Sequence, residues 1–201
     1  MPASLRPALT LMGILVLLTG LAYPVAVAGV AWLLFPRQAG GSLVERDGIV
    51  LGSELIGQPF HGARYFHGRP SATRPRAYDA ASSGGSNLGP TNPRLEQTVA
   101  RRLAALRAED PAQRAPVPID LVTASASGLD PHLSPAAAFW QVPRVARARH
   151  LREDQVRALV EQMAEDRTAG ILGEPRVNVL LLNLALDRLE GGGGEPGEGR
   201  R

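Results

Sequence analysis

Apolar positions are gathered at one end of this chain. From Ala8 to Phe35 no side chain is charged, and Leu, Val, Ala, Ile and Gly dominate. As a helix this run is about 42 Å long, against about 30 Å for the hydrocarbon core of a bilayer. The pattern predicts one transmembrane helix over residues 8–35, preceded by a short tail at 1–7. Trp32 falls near its end, where an amphipathic ring suits the headgroup level, and Arg6 and Arg37 bracket it. A cleaved leader is the alternative, with Ala26-Val27-Ala28 as its small-residue site. The apolar run continues past that site through Phe35, which favours a retained anchor. Pro24 removes a backbone donor and should kink the helix. Ala22, Ala26 and Gly29 recur at i, i+4 and i+7, a small-residue ridge suited to close packing on a partner helix.

Beyond the anchor the pattern changes to short periodic segments separated by turns. Residues 36–48 are polar, contain Gly40-Gly41 and read as a linker. Residues 49–190 have the length of one domain with its own core. A short strand with turns is expected in Ile49–Phe60, short strands at Tyr65-Phe66 and at Val177, and a short strand or extended segment within Pro116–Thr123. Arg74 to Asn92 reads as a long loop rich in Ser, Gly and Asn, a class that is usually functional when ordered. Asn92 and Pro93 then open a helix in which Leu95, Val99, Leu103 and Leu106 recur at helical spacing. Ser134-Pro135 opens a second helix, which Pro143 should break or kink. A third runs from about Glu153 to Asp166. Asn178 caps a last one over Val179–Leu189, apolar nearly all round and therefore buried. Gly191 to Arg201 is Gly, Glu and Arg with one Pro, a composition that predicts a disordered tail. The expected fold is α+β: one N-terminal membrane helix followed by a helix-rich soluble domain with short strands and long loops.

Charge and composition narrow the chemistry. The sequence pI is about 10.1, yet only Arg6 and Arg37 belong to the anchor region, and the other 20 of 22 basic residues face 19 acidic ones. The soluble part is near neutral, which argues against nucleic acid as a partner. The cluster Arg144, Arg147, Arg149, His150 and Arg152 is either an acid-paired helix face or a partner-binding patch. All basic residues are Arg, so a Walker lysine and a Schiff base are excluded, and the absence of Cys excludes disulfides and thiol nucleophiles. Four scattered histidines argue against a metal site. Gly84-Gly85-Ser86-Asn87-Leu88 breaks the nucleophile-elbow pattern at its last position. Asp120, Asp130, His132, Ser125 and Ser127 can be drawn as a triad, but such residues in turn-rich segments usually act as caps. Glycine-rich backbone before a helix can also bind anions, although here the local Ser, Asn and Thr side chains equally explain the loop. No catalytic constellation stands out, so the chain is read as non-enzymatic.

The same segments carry a resemblance. Thr19-Gly20-x-x-Tyr23-Pro24, Gly52-Ser53-x-Leu55-Ile56-Gly57-Gln58 and Tyr65-Phe66-x-x-Arg69-Pro70-Ser71 occur in order. They are followed by Ser83-Gly84-Gly85-Ser86-Asn87-Leu88-Gly89-Pro90-Thr91-Asn92 and by Ser127-Gly128-Leu129-Asp130-Pro131-His132. Gln141-x-x-Arg144-Val145-Ala146 and Gly173-Glu174-Pro175-Arg176-Val177-Asn178 complete the set. Over roughly residues 10–189 the chain resembles the C subunit of the Kdp potassium-transporting ATPase, except that Ala126 stands where glycine is common. The resemblance implies a complex of a channel-like potassium-binding subunit, a P-type ATPase subunit, a small membrane subunit and this one, in a bacterial inner membrane. It implies a role in assembly and as a catalytic chaperone that raises ATP affinity. ATP would be shared with the ATPase subunit, since no cofactor is expected on this chain alone. By resemblance, Gln141 and the loop residues Ser83, Gly84, Gly85 and Ser86 are the candidate nucleotide contacts. Flanking charge does not set the orientation; the resemblance and the anchor-like N-terminus favour an extracytoplasmic domain. A stand-alone anchored ligand-binding protein is the alternative.

Overall fold

The computed structural model describes residues 4–192 and separates into two compact units, Met1–Ser53 and Glu54–Arg201. In the first unit, α1 (Leu5–Leu17), one π-helical turn (Leu18–Ala22) and α2 (Tyr23–Leu34) run on without a break. The resulting helix, Leu5–Leu34, has 30 residues and is long and apolar enough to cross a membrane. It begins three residues before the apolar run, because Leu5 and Arg6 extend it. The π turn ends just before Tyr23-Pro24. Proline has no N–H to give the carbonyl four residues back, and widening the preceding turn absorbs that loss.

Residues expected to form a linker carry regular structure instead. A single turn, α3 (Pro36–Ala39), leads into β1 (Leu43–Arg46), which pairs antiparallel with β2 (Ile49–Ser53). The connection is Asp47-Gly48, with φ of 54° and 76°. Asp-Gly accepts left-handed conformation at both central positions, as the commonest two-residue hairpin turn requires.

In the second unit, α4 (Pro93–Glu109) starts where the sequence places it, with the Asn92 side chain accepting the Arg94 N–H at 2.9 Å. Of the strand or extended segment expected over Pro116–Thr123, Pro116–Pro118 carry no regular structure and Ile119–Leu121 form a 3₁₀ turn. β3 (His132–Leu133), α5 (Pro135–Arg149), α6 (Glu153–Met163), β4 (Ala164–Glu165), β5 (Arg176–Asn178) and α7 (Val179–Gly192) follow. The three strands form one antiparallel sheet in the order β3-β5-β4. Ser134 caps α5 by accepting the Ala137 N–H. Pro143 does not break α5, since the helix continues to Arg149. Val142, Val145 and Ala146 around it are buried, and packing on several sides outweighs one lost hydrogen bond. α5 packs on α6, α6 on α7, and β5 touches all three. Phe66, Val156, Val160, Leu182 and Leu186 fill the space between them. The final helix buries one face, with Val179, Leu180, Leu182, Asn183 and Leu186, leaves Arg188 and Leu189 exposed, and runs on through Gly192. The remainder of the expected disordered tail lies outside the described residues.

Candidate functional site

Tyr65-Phe66-His67 joins no strand, and Tyr65 lies in a bend. Its backbone is paired by side-chain amides from two helices. Asn183 of α7 accepts the Phe66 N–H at 2.9 Å and donates to the Phe66 carbonyl at 3.0 Å. Gln141 of α5 accepts the His67 N–H at 2.8 Å and donates to the His67 carbonyl at 3.1 Å. Each amide reproduces one rung of a β-ladder, so the need to satisfy buried backbone groups is met without a neighbouring strand. Phe66 is completely buried between the two amides' helices.

Gln141 is 0 % exposed. Its Nε2 also donates to the Ala137 carbonyl at 3.3 Å, and its Oε1 also accepts from Arg144 Nη2 at 2.7 Å. Both donors and both acceptor positions are therefore occupied within the chain. The carbonyl freed by Pro143 is that of Phe139, and the amide does not turn to it. Arg144 donates to the carbonyls of Ala63 (2.9 Å) and Tyr65 (3.0 Å). Arg149 donates to the Arg64 carbonyl and forms ion pairs with Asp187 (2.8 Å) and Glu190 (3.0 Å). Arg147 pairs with the buried Asp110, and Arg152 with Asp154. The basic cluster is thus largely spent on fixing this segment and its own helix ends. His67 is held below the usual histidine pKa by burial and then by Arg144, which together outweigh Glu109, 3.4 Å from its Nδ1.

The glycine-rich loop lies against a second loop. Ser83 Oγ donates to the Ser127 carbonyl at 3.2 Å, and the Gly84 N–H to the same oxygen at 2.8 Å. A Cβ on Gly85 would sit 2.8 Å from the Ala126 carbonyl oxygen, whereas one on Gly84 would meet nothing within 4 Å. Gly128 has φ of 68° and approaches Gly84 and Thr73 as closely. Ser71 Oγ donates to the Gly128 carbonyl and accepts the Tyr78 N–H, tying in the segment before the loop. The Tyr78 hydroxyl donates to the Arg69 carbonyl, and burial followed by the Asp130 charge pushes its pKa up to about 12. Burial works to raise the Asp130 pKa, but bonds from His132 and the charge of Arg69, 3.2 Å away, bring it below the usual carboxylate value. Asp120, Asp130, Ser125 and Ser127 each accept a backbone N–H, from Ser134, His132, Gly128 and Leu129 respectively. The side chains of the paper triad are used as turn caps.

Between this loop and α4 runs a groove of about 1110 Å³, with Gly85 and Ser86 on one wall and Arg94, Thr98, Arg101 and Arg102 on the other. Gln141 does not line it, so the structure does not bring Gln141 and the loop into one site. On the apolar helix, Ala22, Ala26 and Gly29 lie at or beyond the end of the π turn, where regular α geometry keeps them on one face. No residue of α2 is buried, and a side chain added at Gly29 would meet nothing within 4 Å.

The family model described as K+-transporting ATPase, c chain (KdpC), matches residues 5–188. The chain belongs to the KdpC family. It is similar to the potassium-transporting ATPase KdpC subunit of Methylococcus capsulatus, 61 % identical over 92 % of this chain and 97 % of that one. The subunits of the same name from Sorangium cellulosum and Methylobacterium nodulans are 62 % and 59 % identical, each over 93 % of this chain and 98 % of theirs. The chain is therefore a subunit of a potassium-transporting ATPase, and its N-terminal apolar helix fits association with a membrane. Two features of the KdpC-like fold escaped the sequence reading. Asn183 was visible only as a polar interruption in an apolar helix, which is itself the signal of a buried residue that needs partners. The groove arginines Arg74, Arg94, Arg101 and Arg102 are spread over residues 74–102, with only Arg101 and Arg102 adjacent.

Proposed function

We propose that this chain is a non-catalytic subunit of an ATP-driven potassium uptake complex of the inner membrane, where it assembles and stabilises the other subunits. Helix Leu5–Leu34 spans the bilayer, and the ridge of Ala22, Ala26 and Gly29, with the turn before Pro24, packs on a helix of a membrane partner. The partners are the channel-like potassium-binding subunit, the P-type ATPase subunit and the small membrane subunit. The folded domain lies on the extracytoplasmic side. Raised ATP affinity of the ATPase subunit then follows from assembly, transmitted through the membrane contact, and not from Gln141 touching nucleotide. The observation that supports this reading is the full occupation of the buried Gln141 amide by His67, Ala137 and Arg144.

The chain has no cysteine, so one introduced at the exposed Ala104 is a unique topology probe. Ala104→Cys should react with a membrane-impermeant maleimide in intact cells whose outer membrane has been permeabilised. Labelling that appears only after inner-membrane lysis would place the domain in the cytoplasm and restore direct nucleotide contact as the better account. Purification in mild detergent separates the subunit from a stand-alone binding protein, because large membrane subunits should co-purify.

A further inference from the structure

Tyr23 stands deep in the apolar helix. At 1.5 Å per residue it lies about 18 Å from Phe35 and about 22 Å from Ala8, the two ends of the uncharged run, near the middle of a hydrocarbon core about 30 Å thick. Helical side chains lean toward the N-terminus, which carries the phenol away from the nearer end, where Trp32 suits the headgroup level. The other hydroxyls of this helix are satisfied within it. Thr10 Oγ1 donates to the Arg6 carbonyl at 3.0 Å, and Thr19 Oγ1 to the Leu15 carbonyl at 2.7 Å. The Tyr23 side chain is too long to fold back on its own turn; it is 66 % exposed, and its hydroxyl has no partner among the described residues. One backbone acceptor at the same level is open as well. The Tyr23 N–H reaches back five residues to the Leu18 carbonyl, and Pro24 has no N–H. The Thr19 carbonyl therefore receives neither the donor four residues on nor the donor five residues on.

We infer that the Tyr23 hydroxyl and the Thr19 carbonyl are held together by one hydroxyl or carboxamide side chain on a transmembrane helix of a partner subunit, near the middle of the bilayer. In hydrocarbon no water serves either group, and each left alone carries the full cost of its desolvation. Tyr23 covers the turn that contains Thr19, since residues four apart share a face. The pair presents one donor and one acceptor, and hydroxyls and carboxamides are the neutral side chains that answer both. A carboxylate or a guanidinium would bring an unmatched charge to the same depth. Ala22, directly before Tyr23, opens the ridge of small residues, so a helix packed closely on Ala22, Ala26 and Gly29 passes beside the phenol. This contact rests on the ridge packing proposed above and adds what the ridge lacks. Apolar faces can slide along one another, whereas a polar contact at one depth fixes both register and partner.

The test follows association of the full-length chain with the remaining subunits by fluorescence energy transfer in lipid vesicles. Tyr23→Phe removes one oxygen and should weaken association between about threefold and twentyfold, the range spanned by hydrogen bonds between membrane helices. Pro24→Ala restores a donor for the Thr19 carbonyl and should weaken association by a similar factor, although it makes the helix itself more regular. Because one side chain serves both groups, the double variant should lose less than the product of the two factors. Thr10→Val, whose hydroxyl is already bonded within the helix, should associate as wild type. Recovery of each variant in alkali-washed membranes shows that it inserts. Wild-type affinity of Tyr23→Phe overturns the inference, as does equal weakening by Thr10→Val or a double variant whose losses multiply in full. Ala22→Leu, measured beside them, tests the ridge separately. If it is weakened while Tyr23→Phe is not, the ridge stands and the polar contact falls; the reverse result keeps the polar contact and removes the ridge.

Discussion

Replacing Gln141 by alanine isolates the clamp on the Phe66-His67 segment. The change removes the partners of the His67 N–H and carbonyl and the acceptor that Arg144 Nη2 shares with the Tyr65 carbonyl. A buried polar group left without a partner costs roughly 1–3 kcal/mol. Two backbone groups are orphaned, but the His67 side chain is 18 % exposed, so water recovers part of the loss, and about 3 kcal/mol is the working value. For a domain of this size each kcal/mol moves the melting point by about 3–4 °C, which gives a drop of roughly 10 °C. Asn183→Ala should cost a similar amount through Phe66. Because the two amides hold neighbouring residues of one segment, the double variant should lose less than the sum, with a coupling of about 0.5–3 kcal/mol. Thermal unfolding of the full-length chain in detergent gives all three values. ATPase activity of the complexes that still assemble should keep its wild-type dependence on ATP concentration. A melting point within about 2 °C of wild type, joined to a raised ATP requirement, would falsify the clamp and make Gln141 a nucleotide contact.

Three further outcomes follow from particular contacts. Gly85→Ala should destabilise the loop and lower the melting point, because its Cβ meets the Ala126 carbonyl at 2.8 Å, whereas Gly84→Ala should be tolerated; equal effects in thermal unfolding would refute this loop packing. His67 is shifted downward, so the unfolded chain binds its proton first as pH falls. The stability it contributes is therefore complete above about 6.5 and declines as pH drops through that value and below; His67→Gln should flatten the dependence of melting temperature on pH in that range. Ala22→Leu and Gly29→Leu should leave membrane insertion intact but reduce recovery of partner subunits in pull-downs, and wild-type yield for both variants would remove the ridge as an interface.

The elements that local chemistry dictates were legible in the sequence. Asn92-Pro93 and Ser134-Pro135 opened their helices as written, since an N-cap acts within three residues. The Asp47-Gly48 hairpin was equally local; its turn signal stood at the end of a segment whose polarity concealed it. What the sequence hid was long-range. Tyr65-Phe66 has the composition of a strand, but the partners of Phe66 and the adjoining His67 lie 117 and 74 residues away on helices, and no periodicity encodes that. Pro143 reads as a break or a kink, and that it does not end the helix follows only once the burial of its neighbours is known.

Charge shows the same division most sharply. The arginines between Arg144 and Arg152, close in sequence, read either as an acid-paired helix face or as a partner-binding patch. In the fold, Arg144 and Arg149 are 3 % and 5 % exposed, and their heads close on carbonyls and carboxylates brought from residues 62–65, 187 and 190. Arg74, Arg94, Arg101 and Arg102, which attract no notice in the sequence, converge because the loop folds back along α4. A buried guanidinium is stable only where acceptors surround it, so an arginine run at the centre of a domain is spent on structure. An exposed group of arginines without acids keeps its charge unneutralised. Density of charge along the chain therefore pointed to the scaffold, and the available positive field came from residues that only the fold assembles.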